Sequence, residues 1–188
     1  MDSSGAHQVV DSRISRRYFI GAIVLVAGAG KARSGVAEAM DNSISKNAEA
    51  IHQEPVFNAG TKRIYQVLTE SGQFDELIAF SAAAKSMSVK SEPARIEAHS
   101  GGAFRLFGGY ISGRFVELVP EQLIVQAWRA GSWDPGVYSI ARFELRARGT
   151  TQTRILFDHL GFPGGQAEHL AQGWHVNYWE PLARLLAT

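Results

Sequence analysis

From Gly101 onward, apolar and polar residues alternate along Phe104 to Phe107, Tyr110 to Val119, Gln122 to Arg129, Val137 to Arg146 and Gln152 to Leu160. A period of two is the signature of a half-buried strand, so this half of the chain predicts five strands. The breaks between them carry turn chemistry. Gly108-Gly109 reads as a two-residue hairpin, Pro120-Glu121 as a turn, and Ala147 to Thr151 as a short polar connection. Strands at hairpin spacing pair with their sequence neighbours, which makes an antiparallel meander.

The flanks have a different rhythm. Glu49 to Phe57 alternates loosely and is interrupted by Pro55, as suits a first strand at a sheet edge. Asn58-Ala59-Gly60-Thr61 supplies a turn and a helix cap before Ile64, Tyr65 and Leu68, one apolar helical face. A second short helix is predicted from Gln73 to Phe80, with Phe74, Leu77 and Ile78 inward. Ser81 to Ser100 shows neither period and reads as a long loop or lid. After Gly161-Phe162-Pro163-Gly164-Gly165, residues Gln166 to Ala187 predict a long helix. Its stripe of Leu170, Trp174, Tyr178, Leu182 and Leu185 is broad, and Pro181 is expected to kink or restart it. The order β-αα-βββββ-α describes an α+β fold: a curved antiparallel sheet wrapped around the C-terminal helix, with two short helices after the first strand.

The first 39 residues belong to another pattern. Ser15-Arg16-Arg17-Tyr18-Phe19-Ile20 stands directly before an apolar run from Tyr18 to Gly30. At about 13 residues this run falls short of the roughly 20 that a membrane-crossing helix needs. No permanent transmembrane segment is expected. Paired arginines before a short apolar stretch read as a twin-arginine export signal, with Arg16 and Arg17 as the recognition pair. Ala37-Glu38-Ala39 is an A-x-A cleavage pattern, so Ala37 and Ala39 define cleavage after residue 39. Residues 40–48 then form a flexible spacer, and residues 49–188 one domain. This organisation predicts a periplasmic or extracellular protein whose partner in transit is the twin-arginine machinery.

Charge and cysteine content narrow the chemistry. Residues 1–39 hold five of the 19 basic and three of the 18 acidic side chains, so removing them moves the formal charge from +1 to −1. No basic stripe remains, which argues against a nucleic-acid partner. The chain has no cysteine, so disulfides, thiolate metal sites and thiol nucleophiles are excluded. His169 and His175 lie on different faces of the last helix and do not form a metal-ligand pair. Gly109-Tyr110-Ile111-Ser112-Gly113 lacks the spacing of a nucleophile elbow, and no phosphate-binding glycine loop is present. No metal or cofactor is implied.

Several motifs together carry a resemblance. Gly101-Gly102-Ala103-Phe104, Gly113-Arg114-Phe115-Val116-Glu117-Leu118, Val125-Gln126-Ala127-Trp128, Thr153 with His159, and Gly173-Trp174 followed by Tyr178-Trp179-Glu180-Pro181-Leu182 resemble the domain related to the C-terminal part of the activator of heat-shock protein 90 ATPase. That family sits in the helix-grip superfamily with START lipid-transfer domains, polyketide cyclases and birch-allergen-like proteins. The resemblance spans about Ala50 to the C-terminus and implies an apolar cavity between sheet and long helix. It implies no single reaction. An export signal would also set this chain apart from a cytosolic chaperone.

In such a cavity the candidate ligand-binding residues are Trp128, Phe157, His159, Trp174 and Tyr178. His159 shares a strand face with Thr153, Ile155 and Phe157. It is the one catalytic candidate, against the alternative of a core histidine satisfied by hydrogen bonds. Trp174 and Tyr178 either line the cavity or pack the helix down. Trp133, in a turn-rich loop, is expected to be an exposed residue at the mouth, and the faces of Arg105, Arg114, Glu117 and Gln126 are ambiguous by one register step. Three functions follow in order: binding of a small apolar ligand, an envelope interaction module without ligand, and a cyclase-like enzyme pairing His159 with Glu117.

Overall fold

The structure is a computed structural model that describes residues 49–86 and 92–188. The expected export signal with Arg16, Arg17, Ala37 and Ala39, and the expected spacer 40–48, lie outside the described residues.

Among the described residues, eight strands form one open sheet in the order β1-β8-β7-β6-β5-β4-β3, with β2 also paired to β8. They are β1 (Glu49–Gln53), β2 (Val56–Phe57), β3 (Arg95–Ile96), β4 (Ala103–Leu106), β5 (Ile111–Val119), β6 (Leu123–Ala130), β7 (Ser139–Arg148) and β8 (Gln152–Phe162). Every pairing is antiparallel, and β4 to β8 follow one another as the predicted meander. Alternation is regular in β6 and β8, where Ile124, Gln126 and Trp128, and Thr153, Ile155, Phe157 and His159, are buried on one face.

The predicted first strand is split. Pro55 has no N–H to give, so β1 and β2 pair with β8 on either side of it, while its carbonyl accepts from Ile155 N at 3.0 Å. Helices α1 (Thr61–Thr69) and α2 (Ser71–Ala79) follow as expected, burying Ile64, Val67 and Leu68, then Phe74 and Leu77. Thr61 is the first helical residue and Gly60 the cap, which makes no side-chain bond.

Two expectations need correction. The stretch read as a loop or lid contains α3 (Ala82–Ser86) and β3, which pairs with β4; residues 87–91 lie outside the described residues. Asp75 and Ser71 on α2 accept backbone N–H groups of Ala94 and Ile96, bonds over long sequence distance that no local period reveals. Between β4 and β5, Leu106 pairs with Ile111 across a four-residue turn, not a two-residue one. Phe107, Gly108 and Gly109 all take positive φ (51°, 65° and 87°), and Phe107 tolerates it because its buried ring packs edge-on against Phe74 and Tyr178.

At Pro181 the last helix restarts, as the sequence predicts: it runs through α4 (Ala167–Trp174), a π turn (His175–Trp179) and α5 (Glu180–Leu185), with Pro181 in the first turn of α5. Glu180 N–H reaches back five residues to the His175 carbonyl. A proline ring presses on the carbonyl four residues before it, here Asn177, and a wide turn at that point accommodates it. The extra residue also brings both Tyr178 and Trp179 to the buried side.

Candidate functional site

The buried face of the sheet and the C-terminal helix do not fill the space between them. A cavity of about 340 Å³ is left, at the small end of the roughly 300–1,000 Å³ usual for ligand pockets. The helix contributes Gln166, His169, Leu170, Gly173, Trp174, Asn177 and Tyr178, recurring at three- and four-residue steps. The β4–β5 turn supplies Phe107, Tyr110 and Ile111; the end of β6 and its loop supply Trp128, Ala130, Ser132 and Trp133; α3 supplies Ala83 and Ser86.

Of the five predicted ligand-binding residues, Trp128, Trp174 and Tyr178 line this cavity, and Phe157 and His159 do not. The latter two form a layer behind it. Phe157 packs against Trp174 with ring centres 4.5 Å apart, and His159 stands edge-on to Trp128 and Trp174 at 5.0 and 5.5 Å.

His159 is fully buried and its hydrogen bonds define its state. Trp174 Nε1, which can only donate, lies 3.0 Å from His159 Nδ1, so Nδ1 is the acceptor. The proton therefore sits on Nε2, which donates to Ser139 Oγ at 2.6 Å, and Ser139 donates onward to the Trp128 carbonyl at 3.1 Å. Protonating Nδ1 would set two donors against each other. Burial lowers the imidazole pKa to about 4. The Glu117 carboxylate that the sequence paired with it is exposed, on a strand that bulges between Phe115 and Glu117, and Arg105 and Arg114 are exposed too. Gln126 alone of those four is buried.

Trp133 is buried, not exposed. Its indole packs edge-on against Trp128 and Nε1 donates to Gln166 Oε1 at 2.8 Å, tying the β6–β7 loop to the start of α4. Phe107, Gln166, Asn177 and α3 were not picked out from the sequence. Helical spacing from Trp174 would have found Gln166 and Asn177, but nothing local marks Phe107 or α3. Of the two helix histidines, His175 is exposed and lies 3.2 Å from Glu180, and His169 is at the cavity.

Among the described residues, two polar atoms in the wall have no partner within hydrogen-bond geometry. Trp128 Nε1 and the Tyr178 hydroxyl are both buried without a hydrogen bond. Burial pushes the phenol pKa up, against a smaller lowering by the Trp128 N–H, which approaches the phenol oxygen as a weak donor outside hydrogen-bond geometry.

An open antiparallel sheet holding a C-terminal helix across an aromatic cavity is the helix-grip architecture. Residues 58–187 match the family described as activator of Hsp90 ATPase homolog 1-like protein, and the chain belongs to it. Among its relatives, human activator of 90 kDa heat shock protein ATPase homolog 1 is 35% identical over 88 residues, covering 47% of this chain and 26% of that protein. Mouse homolog 2 is 28% identical over 137 residues, covering 73% and 38%. The chain thus spans well under half the length of these relatives. Among solved structures, an HSP90 activator from Plasmodium falciparum superposes with a TM-score of 0.64 at 21% identity, over 73% of this chain and 96% of that one. CalU16 from Micromonospora echinospora gives 0.58 at 16%, over 74% and 77%.

Proposed function

We propose that this protein binds a small, largely apolar molecule in the cavity between sheet and C-terminal helix, after export by the twin-arginine route. The observation that carries the reading is the cavity itself: about 340 Å³, walled by Trp128, Trp133, Trp174, Phe107 and Tyr178. Large aromatic side chains packed for stability alone leave few voids, so a space of this size among them suits an occupant. Native mass spectrometry of gently purified protein should show a bound mass, and a lipid and aromatic panel should raise the melting temperature. A reproducibly empty protein with no thermal shift would sink the reading. Export is tested separately: substituting Lys at both Arg16 and Arg17 should hold the protein in the cytoplasm, and normal export of that variant would remove this part.

A second reading, an interaction module, is favoured by one feature of the outer sheet face. Ala50, Leu160 and Ile140 are paired neighbours across β1, β8 and β7, and Leu160, Ile140 and Tyr138 are exposed by 47, 40 and 50%. The relatives named as activators of a chaperone ATPase fit such a role. A cyclase-like reaction at His159 has less support, since the ring's two nitrogens are engaged and Glu117 is exposed on the sheet.

A further inference from the structure

Most polar atoms in the cavity wall are already engaged. Trp133 Nε1 donates to Gln166, Trp174 Nε1 to His159, and Asn177 uses both ends of its amide, accepting from Ala83 N at 2.9 Å and donating to the Gly173 carbonyl at 3.1 Å. At the rim the Tyr110 hydroxyl meets Ser132 Oγ at 3.2 Å. Trp128 Nε1 and Tyr178 Oη break this pattern, being buried and unpartnered on residues that line the space. A buried donor without an acceptor destabilises the fold, and phenylalanine would fill the place of Tyr178 without that penalty. The two groups are neighbours: the Trp128 N–H approaches the Tyr178 oxygen as a weak donor and lowers the phenol pKa, but the approach falls outside hydrogen-bond geometry, so neither group is satisfied by the other.

We infer that Trp128 and Tyr178 form a two-donor site for one oxygen acceptor of the ligand, so that the protein selects small, apolar, neutral molecules bearing a carbonyl group at the buried end. The inference rests on the cavity being a ligand site. An indole nitrogen donates and never accepts, so a partner shared with it must be an acceptor. Tyr178 keeps its proton, because burial opposes the phenolate, and is a donor as well. Among the described residues that line the cavity there is neither lysine nor arginine, and the one histidine, His169, is exposed. A carboxylate at the buried end, beside Trp128 and Tyr178, would lose its water with no described cation against it, whereas a ketone, aldehyde or ester oxygen loses little and gains two donors. The π turn belongs to the same design: it carries Tyr178 and keeps its ring 4.2 Å from Trp174, on the buried side of the helix.

The test uses the full chain and matched probes that differ only in CH₂ against C=O: tetralin with 1-tetralone, and fluorene with 9-fluorenone. Calorimetry should find each ketone about ten-fold tighter than its hydrocarbon. Tyr178→Phe should shrink that ratio to about two-fold, and Trp128→Phe should reduce it as well. The carbonyl stretch of bound 9-fluorenone should lie at lower frequency in the wild type than in Tyr178→Phe. Equal binding of ketone and hydrocarbon by the wild type, or a preference that survives both substitutions, overturns the two-donor site and leaves the cavity reading standing. Tight binding of 1-naphthoate, matching the ketones, overturns the neutral-ligand selection. If neither hydrocarbons nor ketones bind, the cavity reading fails and this inference fails with it.

Discussion

His159 is sealed from solvent, yet each ring nitrogen has a partner, one in Trp174 and one in Ser139. Its folded pKa, about 4, lies below the ordinary 6.5. The unfolded chain therefore takes up a proton first as pH falls. The stability from the neutral ring is fully present above pH 6.5 and is lost progressively between 6.5 and about 4, a loss of about 3 kcal/mol from the shift. Urea unfolding at pH 7 and pH 4.5 should show this drop, and His159→Asn should lack most of it; an equal drop in the variant would show that other groups cause it. His52 acts with the opposite sign, because Asp158 and Glu54 raise its pKa and its contribution fades as pH rises. Tyr178 is the contrasting residue. Its hydroxyl is buried without a partner, so Tyr178→Phe should leave ligand-free stability unchanged or raise it by about 1 kcal/mol, measured by chemical denaturation. A loss of stability would mean that the hydroxyl is already satisfied.

At the scale of elements, the C-terminal helix is held at its start by a residue from the opposite end of the domain. The Glu49 carboxylate on β1 accepts the backbone N–H groups of Gly165, Gln166 and Ala167, at 2.6, 3.2 and 3.0 Å. These bonds, that of Gly165 foremost, lower the Glu49 pKa. A negative charge at a helix N-terminus satisfies donors that the helix itself cannot. Glu49→Ala should speed hydrogen exchange at Gly165 to Ala167 while exchange in β6 to β8 stays slow; no change at those amides would refute the clamp. Gly113, part of the motif that carried the family resemblance, has an equally concrete role. It pairs with Trp128, and a Cβ there would come within 2.0 Å of the Ala127 carbonyl oxygen and 2.4 Å of the Phe104 ring. Gly113→Ala should destabilise the fold by about 1–3 kcal/mol in denaturant unfolding, since the obstacle includes backbone that must shift. Trp179 shows why the last helix could not be placed by its stripe alone: its indole donates to Gln53 on β1 at 2.6 Å, and the π turn that orients it is invisible to a 3.6-residue period.

Over the whole domain, the two faces of the sheet have different uses. The inner one is closed by the helix around the cavity, and the outer one carries ion pairs among His52, Asp158, Arg142 and Glu144 beside an apolar patch of Tyr138, Ile140 and Leu160. Ile140→Lys with Leu160→Lys should leave folding and ligand uptake intact, because both side chains are exposed, but should abolish capture of a protein partner if the outer face is the docking surface. Thermal melts, ligand titrations and crosslinking on the same variant separate these effects. The sequence by itself determined the five strands of the meander, the edge strand before them, α1, α2 and the last helix, in their order but without α3 or β3, because periods of two and 3.6 and the turn residues between them are local properties of the chain. It also brought Trp128, Trp174 and Tyr178 together as candidates, since alternation and helical spacing assign each to an inward face. Only the tertiary structure decided that Phe157 and His159 stand behind the cavity, that Trp133 is buried against Gln166, and that Phe107 and α3 close the wall. Those outcomes depend on which residues meet across distances of tens to more than a hundred positions, as Glu49 meets Gly165 and Gln53 meets Trp179. Depth behind a first layer of side chains, and whether a buried polar atom finds a partner, are properties of three-dimensional packing that no pattern along the chain encodes.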